Sequence, residues 1–325
     1  MSNQTPRAES RPNLGELFRS YGVLFALLVL IVIVAVSEPK FLAYGNLMNI
    51  LSQWAPVGIM GIGMTYVVIT RGFDLSVAAI FALSGVTAAG LGITQPPIVA
   101  FGAAILVGTL AGWANGFIIT GFKVNPFIAT LGSSLVIGGI TLLVTGNVPF
   151  VVTNPQFAIL GSGRIVGVPI SGIVLIALMI IFGLILAYTP YGHAVYATGG
   201  NPEASYLVGI RTSLVTASTY ALSGACAGVA GVLTASLLSS AQPSANPNLI
   251  FDVLTVVIVG GTSLAGGKGA VWRTAVGVAL LATLQNGFNL LDLDPYYQNI
   301  IKGVIIIAAI STVSWKDFAG RFRRT

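Results

Sequence analysis

From Ile98 to Gly121 the chain runs without a single charged side chain, and it is one of ten stretches in which apolar residues dominate. No other feature constrains the fold as much, because a bilayer core about 30 Å thick takes roughly 20 apolar residues per crossing helix. The stretches are Tyr21–Val36, Ala55–Thr70, Leu75–Ile93, Ile98–Gly121, Phe127–Thr145, Pro169–Tyr188, Leu214–Leu238, Phe251–Ser263, Ala270–Leu291 and Ile300–Val313. Charged residues make up 7% of the 325 positions, against about 25% in a soluble domain. The expected fold is therefore an all-α membrane protein, a polytopic bundle of about ten transmembrane helices. Residues 1–20 form a polar leading segment, 21–315 the membrane domain and 316–325 a basic tail.

The segment before the first apolar stretch carries Arg7, Arg11 and Arg19. Ala35-Val36-Ser37 resembles a signal-peptide cleavage site, but the leading region is long and many spans follow, so a retained first helix is the expectation. Phe251–Ser263 is too short to cross alone and reads as a half-helix or re-entrant segment. Alternating sides from an inner N-terminus gathers Arg71, Lys123, Arg211, Lys268, Arg273, Lys316, Arg321, Arg323 and Arg324 on that side, and leaves Lys40, Arg164 and Lys302 outside. This positive-inside bias predicts that both termini are cytoplasmic in a multi-pass plasma-membrane protein. Tyr21, Trp54, Tyr188, Tyr191, Tyr296, Tyr297 and Trp315 sit near the expected helix ends, where amphipathic rings suit the interface.

Catalysis finds no support. One histidine, His193, and one cysteine, Cys226, assemble with nothing, and neither a zinc-protease helix nor a nucleophile elbow is present. A single cysteine excludes an intrachain disulfide, and no metal site is expected. The run Gly260–Gly269 superficially resembles a phosphate-binding loop, yet Thr262 stands where its first glycine belongs and Gly269 follows Lys268 where a Ser or Thr should bind magnesium. Nucleic acid is excluded as a partner, because the net charge of +6 comes without a basic patch interleaved with aromatics.

Glycine is abundant, at 40 residues, and much of it lies within the spans. Gly108, Gly112 and Gly116 fall on one helical face, as do Gly224 and Gly228, which predicts close helix packing in lipid. An echo pairs Val67-Val68-Ile69, Gly72 and Leu75 with Val256-Val257-Ile258, Gly261 and Leu264; coincidence explains so short an aliphatic match equally well. Asn115, Asn286 and Asn289 are candidates for a solute pathway, the alternative being bonds between helices. Asp74 joins them, although it also suits the start of the third span as an N-cap, with Arg71 pairing to it at the interface.

Between Thr189 and Ser213, Asn201 is placed to cap a short helix, Pro202 to open it, Glu203 to suit its positive end and Gly209 to stop it. The run Gly199-Gly200-Asn201-Pro202-Glu203-Ala204, with Leu207, Gly209 and Ile210 following, resembles the coupling loop of the ribose-type permeases of bacterial ABC importers. Gly63-Met64-Thr65 with Thr70, Gly72, Asp74, Leu75 and Ser76 is similar to the same family. So are Ser240-Ala241-Gln242-Pro243, the block Val259–Gly269, and Asn286-Gly287 with Asn289-Leu290-Leu291 and Tyr296-Tyr297-Gln298. Arg71 departs from the family, whose members commonly have a small polar residue there.

The resemblance implies a type II-like permease, a non-catalytic subunit that carries a monosaccharide or related polyol by alternating access. It implies a second permease copy, a periplasmic sugar-binding protein and a cytoplasmic ABC ATPase gripping the coupling loop, about 190–213. The chain itself then binds no cofactor, ATP and Mg belonging to the ATPase. Two other readings are an ion-coupled secondary transporter, which needs carboxylates buried within the spans, and a membrane scaffold that moves no solute.

Overall fold

The structure, a computed structural model, describes residues 14–305 and 307. Its helices in chain order are α1 (Leu14–Ser37), α2 (Tyr44–Ile69), α3 (Val77–Gly92), α4 (Pro97–Gly121), α5 (Pro126–Thr145), α6 (Pro155–Ser162), α7 (Ile170–Tyr188), α8 (Pro190–Gly200), α9 (Pro202–Leu207), α10 (Thr212–Leu238), α11 (Leu249–Val259), α12 (Val271–Leu290) and α13 (295–305). All but α6, α8 and α9 overlap the expected spans, of which residues 308–313 of the tenth lie outside the described residues, and the all-α polytopic architecture holds. Strand is confined to two pairs of two-residue segments among the described residues, Phe150–Val151 with Ser240–Ala241 and Arg164–Ile165 with Val168–Pro169. Arg7, Arg11, Trp315 and the basic tail lie outside the described residues.

α2 is the central element, and from Trp54 to Ile69 almost every residue is buried against α7, α10, α11 and α12. A helix enclosed on all sides must satisfy its polar groups internally. Thr65 does so twice, donating to the Gly61 carbonyl at 2.6 Å and sharing a 2.6 Å contact with the Thr274 hydroxyl of α12. Pro56 sits inside α2; lacking an N–H, it leaves the Ser52 carbonyl without its helical donor. Trp54, expected at the interface, is instead 9% exposed in the core. The reason is that α2 begins at Tyr44, well before the apolar run. Its first turns carry Asn46 and Ser52, which are satisfied by Asn286 and Ser171 on neighbouring helices.

The glycine face of α4, expected to pack closely on a neighbouring helix, meets that of α10. A Cβ at Gly112 would lie 2.2 Å from the Tyr220 carbonyl oxygen, and one at Gly224 would lie 2.2 Å from that of Gly108. Backbone therefore touches backbone, the geometry that compensates for the lack of a hydrophobic driving force between helices in lipid. The opposite face of α4 presents Leu106, Leu110, Trp113 and Phe117 outward, and α5 exposes Leu135 and Leu143, side chains suited to acyl chains.

The helices alternate in direction, which defines two ends of the bundle. At one end Lys123, Arg71, Arg211, Lys268 and Arg273 flank α8 and α9; at the other the strand pairs, α6, Lys40 and Arg164 gather. α11 is only 11 residues long, matching the half-helix expected of the eighth span. The sequence echo acquires a structural counterpart with the register moved by one. At the end of α2, Arg71 and Gly72 donate back to Val68 and Val67; at the end of α11, Gly261 and Thr262 donate back to Ile258 and Val257. Arg71 and Gly261 both have a positive φ, so the two helices end in the same left-handed turn.

Candidate functional site

At the end bearing α9, three distant segments converge. α8 starts on Pro190, with the Thr189 side chain accepting from the Gly192 N–H at 3.2 Å. It runs to Gly200 and seats its last turn on the end of α2. A Cβ at Gly199 would stand 1.8 Å from the Ile69 carbonyl oxygen, so only glycine permits this approach, whereas one at Gly200 would meet nothing within 4 Å. The loop 260–270 closes the third side: the Gly267 N–H donates to that same Ile69 oxygen at 2.8 Å, and the Tyr196 hydroxyl donates to the Gly269 carbonyl at 2.7 Å. Burial holds the Tyr196 phenol above its ordinary pKa, against an opposing pull from Arg273, so the group stays a neutral donor.

Arg71 completes the junction. Its Nε donates to the Gly199 carbonyl at 2.6 Å and its Nη2 to the Gly200 carbonyl. A cation thus satisfies the last carbonyls of α8, where the helix dipole is negative. The expected pairing of Arg71 with Asp74 does not form, because the left-handed turn at Arg71 sends the guanidinium toward α8. Nor is the glycine-lysine loop a phosphate cradle: its Ser263, Gly266 and Gly267 N–H groups are spent on the Lys268, Ser263 and Ile69 carbonyls.

Beyond Gly200 the chain turns into α9. The Asn201 side chain accepts from the Ala204 N–H at 3.0 Å, Pro202 takes the first helical position and Glu203 lies in the first turn. Gly209, at φ +90, ends it, with Gly209 and Ile210 donating back to Tyr206 and Ser205. Only Ser205 of α9 is buried; Tyr206, Leu207 and the following Val208 are 70%, 84% and 78% exposed. Three consecutive apolar side chains thus project from the end of the bundle.

The four residues singled out for a solute pathway fall into two groups. Asp74 is fully buried, its Oδ1 accepting from the Ser76 N–H and hydroxyl at 3.0 and 2.5 Å and its Oδ2 from the Ser223 hydroxyl at 2.7 Å. Asn115 donates to Ser76 at 2.7 Å. This closed network joins the start of α3 to α4 and α10. Asn286 exchanges two hydrogen bonds with Asn46, at 2.9 and 3.0 Å, and Asn289 accepts from Gln285 and Gln298 at 3.2 and 3.3 Å. That second group lies at the opposite end of the bundle.

None of the four lines the cavity of about 300 Å³ that opens between α2, α3, α10 and the segment leading into α11. Its polar lining comes from Gln53, Thr234, Ser240, Gln242, Ser244 and Asn246, set among Val57, Phe81 and Leu238, and it contains no ionised side chain. Of these residues, only Ser240 and Gln242 belong to a block that resembles the sugar permeases.

A bundle of alternating apolar helices with a short, capped and exposed helix at one end and a polar-lined cavity toward the other defines a polytopic membrane permease. Residues 46–310 match the family described as the permease component of the branched-chain amino acid transport system, and the chain belongs to that family. The ribose import permease protein of Bacillus subtilis strain 168 is 36% identical over 95% of this chain and 97% of its own. That of Escherichia coli K12 is 41% identical over 88% and 91%. The D-allose transport system permease protein of E. coli K12 is 31% identical over 94% of each. No solved structure matches the chain.

Proposed function

We propose that this chain is the membrane subunit of a binding-protein-dependent ABC importer for a ribose-like monosaccharide or related polyol, and that α9 is the point at which a cytoplasmic ATPase drives it. The observation that carries the coupling role is the exposure of Tyr206, Leu207 and Val208 on a capped helix of six residues. So short a helix is marginal alone, and burying an apolar side chain is worth about 1.5–3 kcal/mol. Three such side chains supply a docking energy of several kcal/mol to a partner groove. Gly199, Gly200, Asn201, Pro202, Glu203, Ala204, Leu207, Gly209 and Ile210 then form the coupling segment, and the end bearing it is cytoplasmic, as are both termini. ATP and Mg bind the ATPase, a periplasmic binding protein delivers the solute, and a second copy of the chain completes the channel.

The solute class rests on the sugar permeases that share most of the chain and on the lining of the 300 Å³ cavity. Amides and hydroxyls with no ionised side chain suit a neutral polyol; a zwitterionic amino acid leaves its charges uncompensated there. Asn286 and Asn289 contribute to the outer mouth of the pathway, while Asp74 and Asn115 brace its walls. An ion-coupled carrier is disfavoured because both buried carboxylates near span ends are already engaged, Asp74 by Ser76 and Ser223 and the half-buried Asp252 by Lys302 at 3.3 Å.

Reconstitution with the cognate ATPase and binding protein tests the reading. Sugar uptake should require ATP and the binding protein, and Leu207→Asp should abolish both ATPase co-purification and uptake. Uptake that persists without the ATPase but collapses with the ion gradient overturns it.

A further inference from the structure

Gln53 on α2 and Gln242 in the segment after α10 line the cavity of about 300 Å³, and among the described residues neither side chain has a hydrogen-bond partner. Two of their polar neighbours are already engaged: the Thr234 hydroxyl donates to the Ala230 carbonyl and the Asn246 Oδ1 accepts from the Asn248 N–H, both at 2.9 Å. A free carboxamide presents one acceptor oxygen and two N–H donors, a set that a hydroxyl, itself donor and acceptor, completes. Val57, Phe81 and Leu238 supply apolar wall beside the amides, suited to the C–H faces of a sugar ring.

The wall formed by α3 and α10 limits the size. A Cβ at Gly231 would lie 2.4 Å from the Phe81 carbonyl oxygen, and one at Gly85 would lie 3.4 Å from the Gly231 oxygen. Main chain meets main chain there, so no side chain can swing aside to enlarge the space. The Ser240–Ala241 edge is held in turn by its pairing with Phe150–Val151. A cavity of this volume stands at the small end of ligand pockets and admits one monosaccharide ring, not two.

We propose that this cavity is the station at which the chain itself reads its solute, with Gln53 and Gln242 binding hydroxyls of a single uncharged monosaccharide; the proposal deepens the sugar-permease reading and rests on it. Selection works by exclusion as well as by contact. A disaccharide exceeds the cavity, and a sugar phosphate or an amino acid brings charge to a lining without an ionised side chain, where its lost hydration is uncompensated. A few neutral hydrogen bonds hold weakly, as a transport station must if the solute is to leave.

The test uses the full chain in detergent. Cys226 is buried, so Ser244→Cys on the cavity wall introduces one reactive thiol, whose modification by methyl methanethiosulfonate is followed by mass. D-ribose at up to about 0.1 M should slow that modification at least about fivefold, in keeping with millimolar binding by a few neutral hydrogen bonds. Maltose, a ribose phosphate and alanine at the same concentration should leave the rate unchanged. Gln53→Leu and Gln242→Leu should each raise the half-protecting ribose concentration about fivefold, the worth of one hydrogen bond, with the unfolding temperature unmoved because neither amide holds another residue. Thr234→Cys is the second reporter should Ser244→Cys fail to fold. Equal protection by maltose or the ribose phosphate, protection undiminished in both leucine variants, or no protection by D-ribose in a chain that still imports it with ATP overturns the proposal and leaves the importer reading standing. Protection in a chain whose uptake ignores ATP upholds the station and removes the coupling.

Discussion

Gly199 and Gly200 are neighbours with opposite demands. A methyl group at Gly199 collides with the Ile69 carbonyl, while one at Gly200 meets open space. Gly199→Ala is therefore expected to lower the thermal unfolding temperature and uncouple ATPase from uptake, and Gly200→Ala to leave the unfolding temperature near the unaltered level. Asp74 offers a second residue-scale expectation. Replacing its carboxylate by Leu strands the Ser76 N–H and two serine hydroxyls, each at a cost of about 1–3 kcal/mol, and unfolding in detergent should show a loss of at least about 3 kcal/mol. Asp74→Asn keeps an acceptor and should lose less. At this scale the sequence was legible where spacing alone carries the message: the four-residue period of Gly108, Gly112 and Gly116 pointed to a close helix contact, though not to α10 as the partner. Arg71 was not legible. Its partners Gly199 and Gly200 lie far along the chain, whereas Asp74 is three residues away and drew the pairing to itself.

α9 illustrates what a helix end encodes. Asn201, Pro202 and Gly209 announce its start and stop in the order the physics requires, and the structure places them so. Asn201→Ala removes the cap, worth about 1 kcal/mol; the expected result is an ATPase affinity lowered about fivefold in a pull-down titration, with the bundle's own unfolding temperature unchanged. α8 and the first turns of α2 were less legible, for a shared reason. Both mix polar and apolar residues without a clear run, and both are helical because neighbouring segments meet their polar groups: Asn286 of α12 for Asn46, the Gly269 carbonyl of the loop 260–270 for Tyr196. The cavity wall was missed similarly, since Gln53 belongs to no motif and matters only by facing Thr234 and Gln242 across the fold.

For the molecule as a whole, sidedness is the property on which the coupling proposal depends. Cys226 is buried, at 3% exposure, so the unaltered chain should resist a membrane-impermeant maleimide in native membranes. Glu203→Cys, on exposed α9, should react in inside-out vesicles and stay unlabelled in intact cells, and the reverse pattern would place α9 on the periplasmic side. The fold class was readable from composition and run length because lipid admits so few spanning architectures. The arrangement of those spans was not, since apolar stretches of similar hydropathy can neighbour one another in many orders, and only the glycine faces and buried hydroxyl pairs choose among them.

The seat of Gly199 on Ile69 also bears on how motion spreads. With two main chains in contact, a guanidinium bridging them and Gly267 bound to the same oxygen, no soft side chain remains there to absorb a push. On the proposed coupling, a lever seated on so unyielding a fulcrum passes its motion on: a partner that tilts α8 through α9 is expected to carry α2, the innermost column, along with it.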